Sequence, residues 1–401
     1  MKTAIWLYLF LFVAFFDLHA QYPILTPFAI SIGAAPSFIG LMMGLYSITH
    51  LPGNLIAGYG VDRYGSRLFI VFSLAAAGGI LLLQAMVTNP WQLLVLRSIS
   101  GFVLAFLSPA CMSLLARIAT SQIRQRKLMA GNGLVHTVAS VISPAVGAYL
   151  VAQIGFTTAF TVLGWILIAT AACAMFFIRE LVPQKATAPA SKALATQASA
   201  EALGMRGGTA GPQPPVPWLI FALPIAMSCA QGILSFELPL MSTTKEGMMT
   251  TGLLFSIVSL GALFTLSMLF LNKLSPFLRS LWGAFLLALT YFAIAAGVPL
   301  PFMVLLLFIG MAKGVIFPAL SSLLIERSGG TRYGRMFSIL SIAFSIGAFM
   351  GPMLAGQLRE VISPYYIAFL SLMIAVCVLP FYASPTKAGG SSSSAHFSGT
   401  G

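Results

Sequence analysis

Long runs of apolar residues, separated by short polar or Gly/Pro-rich breaks, make up most of this chain. A transmembrane α-helix needs about 20 consecutive, mainly apolar residues. The runs have this length and lack the strict alternation that is typical of half-buried strands. The pattern therefore predicts twelve transmembrane spans, at residues 4–27, 36–58, 68–88, 91–115, 129–151, 157–178, 217–240, 248–271, 280–298, 301–324, 336–357 and 363–383.

Two polar stretches are much longer than the other breaks. Residues 179–216 are rich in Ala, Pro, Gly and basic residues and have no apolar period, which is typical of a flexible linker. Residues 384–401 end in a Gly/Ser-rich run, which is typical of a disordered tail. We therefore expect an N-terminal six-helix bundle in residues 1–178, a cytoplasmic linker, and a C-terminal six-helix bundle in residues 217–383.

A weak internal repeat relates the two sets of six spans. Four pairs of identical residues coincide when the chain is shifted by 212, 209 or 208 positions: Pro27 with Pro239, Gly40 with Gly252, Gly101 with Gly310, and Pro144 with Pro352. Small insertions in loops would produce such a drifting offset. Parallel repeats of this kind are typical of transporters whose substrate site lies between the halves, near the bilayer midplane.

The composition excludes several classes of protein. Charged residues make up 7% of the 401 residues and hydrophobic types 59%, whereas soluble domains average about 25% charged residues. A soluble enzyme and a disordered chain are therefore excluded, and the unbroken apolar runs exclude an outer-membrane barrel. The sequence has no Walker A phosphate loop, and its four cysteines are scattered. We therefore expect no ATP-driven step, no metal site and no cofactor.

The net charge of +13 is explained by membrane topology rather than by nucleic-acid binding. With the N-terminus inside, 17 of the 21 basic residues fall in inside loops and tails, and only Lys245 and Arg359 fall outside. Basic residues collect on the cytoplasmic side, so we expect a multi-pass protein of the cytoplasmic membrane with both termini in the cytoplasm. The alternative for the first run is a signal peptide ending near Leu18-His19-Ala20. Its removal would leave eleven spans and break the repeat.

The stretch GYGVDRYGSR between spans 2 and 3 predicts a tight, charged loop. Apart from the two residues before its Asp, it resembles the G-x-x-x-D-R-x-G-x-R signature of the major facilitator superfamily. The resemblance implies an all-α membrane protein with twelve helices in two pseudo-symmetric six-helix bundles. It also implies a conformational latch that controls opening to the cytoplasm, formed by Gly58, Asp62, Arg63, Gly65 and Arg67. The alternative is a charged loop that only fixes topology.

Small residues and prolines at fixed spacings predict close helix packing. Arg97 lies four residues before Gly101 in span 4, and this spacing resembles the superfamily's span-4 Arg motif, which the family associates with proton transfer. Snorkelling to the outer interface is the alternative for Arg97. Residues 139–148 and 347–356 resemble the superfamily's antiporter motif, with generic packing as the alternative. Small residues permit close approach and prolines permit bending, and we expect this at Gly101, Pro144, Gly147, Gly351 and Pro352.

Acidic residues inside spans are the first candidates for proton coupling, because a charge at mid-membrane costs at least ~2.5–3.5 kcal/mol. Asp17 lies near the middle of span 1, with Gln21 one turn further on the same side. His19 points elsewhere by about 200° of helix rotation. Glu237 in span 7 is either a cavity residue or a residue near the outer interface.

The other candidates for the substrate cavity are basic, imidazole or aromatic side chains. Lys313 lies at the centre of span 10, where it is a counter-ion to Asp17 or Glu237, or an anchor for a substrate carboxylate. His50 and His136 are candidate proton carriers, and packed hydrogen-bonding residues otherwise. The predicted proton-coupling residues are Asp17, Arg97 and His136, and the predicted cavity residues are Asp17, Gln21, Tyr46, His50, Arg97, Glu237 and Lys313.

Span 1 resembles that of drug:proton antiporter-type exporters, which implies alternating access with exchange of a small organic solute for protons. The solute is expected to be a drug-like compound, or a zwitterionic or carboxylate metabolite such as a metallophore or siderophore. Proton-coupled nutrient uptake and a receptor-like protein without transport are the alternatives. We expect protons, a small-molecule substrate and the lipid bilayer as partners, with no nucleic acid, and a monomeric chain.

Overall fold

All twelve predicted spans are helical in the computed structural model, which describes residues 2–118, 121–178, 218–241, 244–268, 274–327 and 333–383. Within these ranges no strand occurs. Among the described residues, ten segments are long and apolar enough to cross a membrane. The other two are span 2, which carries polar residues such as His50 and Asn54, and span 12, whose apolar part is shorter. The predicted linker 179–216 and tail 384–401 lie outside the described residues.

The N-terminal half contains spans 1 to 6, and two of them are broken into two helices. Their bounds are Lys2–Ala20 and Tyr22–Ser31 for span 1, Pro36–Tyr64 for span 2, Ser66–Gln84 for span 3, Pro90–Leu104 and Leu107–Arg117 for span 4, Gln122–Ile154 for span 5, and Phe156–Phe177 for span 6. The C-terminal half contains spans 7 to 12. Their bounds are Trp218–Phe221 (a 3-10 turn) and Ala222–Leu240 for span 7, Lys245–Ser267 for span 8, Pro276–Ala295 for span 9, Phe302–Arg327 for span 10, Tyr333–Leu358 for span 11, and Pro364–Ala383 for span 12.

The two halves pack their helices in the same pairs. Spans 1 and 5, 2 and 4, and 3 and 6 pack together, and so do spans 7 and 11, 8 and 10, and 9 and 12. The glycines of the repeat show the match in detail. A Cβ on Gly101 would meet the carbonyl oxygen of Tyr46, and a Cβ on Gly310 would meet that of Val258. Because Val258 is 212 residues after Tyr46, the repeat seen in the sequence is also a repeat of helix packing.

Prolines break spans 1 and 4. Pro23 has no N–H to donate to the carbonyl of His19, and span 1 stops at Ala20 and resumes at Tyr22. Gln21 lies in this break, where its carbonyl accepts hydrogen bonds from the next turn. Pro109 has the same effect on span 4, whose two helices are separated by residues 105–106. The break in span 1 places the Gln21 side chain in the protein interior.

The prediction of a loop over residues 58–67 was wrong. Span 2 continues as a helix to Tyr64, span 3 begins at Ser66, and only Gly65 lies between them. Gly65 has φ of +91°, a left-handed conformation that glycine adopts without strain. One glycine is therefore sufficient to reverse the chain, and the polar residues before it extend the helix beyond the apolar run.

The two halves meet at one face of the membrane region. We call the face with the span 2–3 turn at Gly65 the basic face and the other one the opposite face. Near the opposite face, span 2 packs on span 11 and span 8 packs on span 5. A Cβ on Gly40 would overlap the carbonyl oxygen of Pro352, and a Cβ on Gly252 would overlap that of Pro144. These two contacts are related by the internal repeat, and together they join the two halves near the opposite face.

Candidate functional site

A buried chain of hydrogen bonds connects spans 1 and 4 inside the N-terminal half. Gln21 Nε2 donates to Asp17 Oδ2 over 2.9 Å, and Arg97 Nη1 donates to Gln21 Oε1 over 2.5 Å. Asp17 and Gln21 are 2% exposed and Arg97 is 5% exposed. Arg97 therefore points into the protein and does not snorkel to the interface.

Tyr46 of span 2 completes this group. The guanidinium carbon of Arg97 lies 4.5 Å from the centre of the Tyr46 ring, within the range of a cation–π interaction. Asp17, Gln21, Arg97 and Tyr46 together are called the Asp17 network below. The Asp17 Oδ1 and Arg97 Nε atoms are buried and have no hydrogen-bond partner among the described residues. Asp17 thus has one oxygen held by Gln21 and one oxygen without a protein partner.

This arrangement suits a carboxyl group that gains and loses a proton. Gln21 separates Asp17 from Arg97, so the two charges attract each other without forming a direct ion pair. A direct ion pair would strongly favour the ionised acid. The oxygen without a partner leaves a position at which a proton or water can bind. Leaving a buried polar atom unpaired costs about 1–3 kcal/mol, which favours a second state in which that atom is satisfied.

The Asp17 network has no counterpart in the other half. The offsets of the repeat place its four residues on apolar positions, namely Cys229, Ile233, Leu306 and Val258. The packing residues recur in both halves, but the charged ones do not. The two halves therefore differ in the chemistry that they can perform.

A second group in the N-terminal half contains two imidazoles in an edge-to-face arrangement. The rings of His19 and His136 lie 5.1 Å apart, and the ring of Phe15 lies 4.7 Å from that of His136. His19 Nδ1 is 2.7 Å from the carbonyl oxygen of Phe15. The His19 side chain contacts Phe15 and His136 and not the Asp17 network, in agreement with the direction expected from helix rotation. His136 is exposed even though it lies among these rings.

His50 lies at the middle of the span 2 helix, Pro36–Tyr64. Its Nδ1 atom is 2.9 Å from Asn54 Nδ2, one turn further along the same helix. The Tyr46 and His50 rings are 6.2 Å apart. His50 therefore continues the polar side of span 2 from Tyr46 towards the basic face.

Lys313 of span 10 is held by the C-terminal half. Its ammonium donates a hydrogen bond to Gln231 Oε1 of span 7, and Gln231 Nε2 donates to Ser235 Oγ over 3.2 Å. Of the two alternatives for Lys313, the structure does not support the counter-ion role, because Asp17 is hydrogen-bonded to Gln21 and Glu237 lies next to Arg359. The Lys313 side chain is only partly buried.

The structure places Glu237 away from the Asp17 network. Its Oε2 atom lies 3.8 Å from Nη2 of Arg359, the residue that follows the end of span 11. Tyr365 of span 12 is close enough for an electrostatic interaction with Glu237. Glu237 is 8% exposed. We therefore read Glu237 as half of an ion pair within the C-terminal half, near the opposite face.

The predicted packing positions all lie at contacts between helices. A Cβ on Gly147 would meet Ala20, and a Cβ on Gly351 would meet the backbone of Cys229. In the predicted latch, Arg67 Nη2 donates to the carbonyl oxygen of Met175 over 2.5 Å and so joins spans 3 and 6. The guanidinium of Arg63 lies 5.4 Å from the centre of the Tyr64 ring. Gly58 and Asp62 belong to span 2, but their side chains lie outside what the structure describes.

Gln231 and Asn54 were missed by the sequence analysis. The repeat contained the signal for Gln231, because an offset of 212 places it on His19. For Asn54 the signal was a polar side chain one turn after His50 in an apolar span. Both residues are neutral, and the cost of burying a charge in the membrane singles out ionisable residues instead.

The major facilitator superfamily model matches residues 7–295 and 277–398. The chain belongs to the major facilitator superfamily. Multidrug resistance protein MdtG of Salmonella paratyphi C is 26% identical over 89% of this chain and 88% of that protein. Multidrug resistance protein 1 of Bacillus subtilis is also 26% identical, but this match covers only 35% of this chain and 36% of that protein.

The fold agrees with this assignment. A bacterial homologue of the human lysosomal transporter Spinster, solved in an inward-facing and occupied conformation, superposes with a TM-score of 0.73. The sequences are 15% identical, and the superposition covers 95% of this chain and 96% of that one. Members of the superfamily are membrane transporters and not enzymes. The chain is therefore a multi-pass transporter with the predicted all-α fold.

Proposed function

We propose that this protein exports a small organic solute by alternating access, in exchange for protons. It acts in the cytoplasmic membrane as a monomer with both termini in the cytoplasm. The Asp17 network is the observation that carries the proposal. It places one acid, with one oxygen unpaired, inside the N-terminal half, which packs against the other half near the opposite face.

The network also suggests how a proton would be coupled to movement. Span 1 is broken at Gln21, and the helix that follows the break, Tyr22–Ser31, packs against spans 7 and 8 of the other half. A proton on Asp17 would weaken the attraction that reaches Arg97 through Gln21. Because Gln21 lies at the break, a change in these hydrogen bonds changes the restraint on the helix that contacts the C-terminal half.

One proton per solute is energetically sufficient. A membrane potential of 100 mV contributes ~2.3 kcal/mol per charge, and one pH unit contributes ~1.4 kcal/mol. Their sum of roughly 3.7 kcal/mol supports a solute gradient of a few hundred-fold, at ~1.4 kcal/mol per tenfold.

Proteoliposomes with an imposed pH gradient test the proposal. Two fluorescent probes with a common xanthene skeleton, carboxyfluorescein and rhodamine 123, represent anionic and cationic solutes. We expect at least one of them to move against the protons, and we expect Asp17→Asn to abolish its dependence on the gradient. Movement in the same direction as the protons would support uptake instead. No gradient-driven flux of either probe, or full coupling in Asp17→Asn, would refute export by proton exchange through Asp17.

A further inference from the structure

Lys313 is a positive charge inside the membrane region that the Asp17 network does not use. The two intramembrane acids discussed above have other cationic neighbours, because Asp17 is linked to Arg97 through Gln21 and Glu237 is paired with Arg359. The hydrogen-bond partner of Lys313 is the neutral amide of Gln231. An intramembrane charge is costly and usually has a function.

Lys313 and His136 lie at the same depth on opposite sides of the interface between the halves. Span 8 packs against both of their helices and serves as a common scale. Gly252 lies against the span-5 turn 144–148, and His136 lies ten residues before the middle of that turn. Gly314, which follows Lys313 in the chain, lies against Ala262, and Ala262 is ten positions after Gly252 on span 8. Measured along the helix axes, both residues are therefore about 15 Å from the level of Gly252, towards the basic face.

Neither side chain is fully buried: His136 is exposed and Lys313 is partly exposed. Lys313 lies close enough to His136 and His19 for an electrostatic interaction. One turn before His136, the Oδ1 atom of Asn132 is buried without a hydrogen-bond partner among the described residues. An amide can turn to present either its oxygen or its nitrogen to a ligand.

We propose that Lys313, Gln231 and His136 form a binding site for the carboxylate group of an organic anion, and that this anion is the transported solute. The inference rests on the proposed function, because it names the substrate class of the same transporter. Lys313 supplies the charge, and Gln231 holds its ammonium in place through the bond to Gln231 Oε1. His136 offers a ring N–H from the other half, so a bound carboxylate bridges the two halves.

Aromatic rings adjoin this site and suit an apolar body on the same anion. Phe15 lies against His136. Towards the opposite face, the rings of Tyr22 in span 1 and Phe255 in span 8 lie 5.9 Å apart across the interface. A cation would have to bind beside the uncompensated ammonium of Lys313, so this site selects against cationic solutes.

Binding of the two xanthene probes to the purified full-length protein tests the inference without any gradient. Fluorescence anisotropy would give the Kd of carboxyfluorescein and of rhodamine 123. We expect carboxyfluorescein to bind at least tenfold more tightly than rhodamine 123. Lys313→Gln should weaken carboxyfluorescein binding at least tenfold, and Lys313→Arg should retain most of it. Lys245→Gln, which removes an exposed charge near the opposite face, is the matched control and should bind as the unchanged protein does.

A second variant covers a failure of Lys313→Gln to fold. Gln231→Glu keeps Lys313 but gives it a carboxylate partner, and it should also weaken carboxyfluorescein binding at least tenfold. Equal or tighter binding of rhodamine 123, or unchanged carboxyfluorescein binding in the folded variants, would overturn the inference. Carboxyfluorescein binding through Lys313, together with no gradient-driven flux of either probe, would support the binding site and refute the proposed proton exchange. Gradient-driven export of rhodamine 123 alone would support the proton exchange and refute an organic anion as the transported solute.

Discussion

The two glycines that close the opposite face give a direct test of alternating access. Gly40 of span 2 lies against the carbonyl of Pro352, and Gly252 of span 8 lies against the carbonyl of Pro144. A methyl group at either glycine would overlap a backbone oxygen, which cannot rotate away as a side chain can. Gly40→Ala should therefore destabilise the state in which the opposite face is closed.

The size of the effect follows from the cost of overpacking. Adding atoms to a well-packed contact costs typically about 1–3 kcal/mol, which shifts the conformational equilibrium about 5- to 150-fold away from closure. The two contacts do not touch, so the costs in a Gly40→Ala/Gly252→Ala double variant should add. Gly79→Ala is the matched control, because a Cβ there meets nothing within 4 Å. Both substitutions gain the same helix propensity of about 1 kcal/mol, which cancels in the comparison.

Distances between spin labels at the opposite face would measure the shift. Thr88 follows span 3 and Val361 follows span 11, and both are exposed. The labels are attached in a chain whose four native cysteines are replaced. Double electron–electron resonance then measures the distance between the labels, which reports the separation of the halves. We expect a longer-distance population to grow in Gly40→Ala and more so in the double variant. A distance distribution equal to that of Gly79→Ala would refute the packing argument.

Three further predictions follow from the contacts described above. Gln21→Leu removes the amide between Asp17 and Arg97 and should lower gradient-driven transport more than ~10-fold, since hydrogen bonds to charged groups contribute about 1.5–3 kcal/mol; transport at the unchanged rate would contradict this. Glu237→Gln should keep proton-coupled transport, because its ion pair is long and partly exposed; loss of coupling would make Glu237 a proton carrier. Tyr291→Phe removes a hydrogen bond to a carbonyl of span 7 and should lower the free energy of unfolding by about 1 kcal/mol, measured by thermal unfolding. An unchanged Tm would show that this hydrogen bond does not stabilise the protein.

The sequence was sufficient to predict the twelve spans, because the length of an apolar run is set by the thickness of the bilayer. It was also sufficient for the repeat, since close packing requires glycine at positions such as Gly101 and Gly310. The helix ends were less predictable. Residues 58–64 are polar enough to look like a loop, yet the helix extends through them beyond the apolar run to Gly65.

The contacts of the site were only partly predictable. Gln21 lies one helical turn from Asp17, so its hydrogen bond follows from helix geometry alone. The bond between Gln21 and Arg97 depends on how spans 1 and 4 pack, and no local pattern contains that information. The same holds for Lys313, whose bond to Gln231 joins residues 82 positions apart.

The unequal polarity of the two halves has a consequence for how this protein can evolve. In the proposed mechanism, duplicated halves that share their packing but not their charged residues separate the energy source from most of the choice of cargo. Substitutions around Lys313 would change the accepted solute while the Asp17 network, in the other half, continued to use the same proton gradient. Such a chain would acquire a new cargo through a few changes around Lys313, without changes to the Asp17 network.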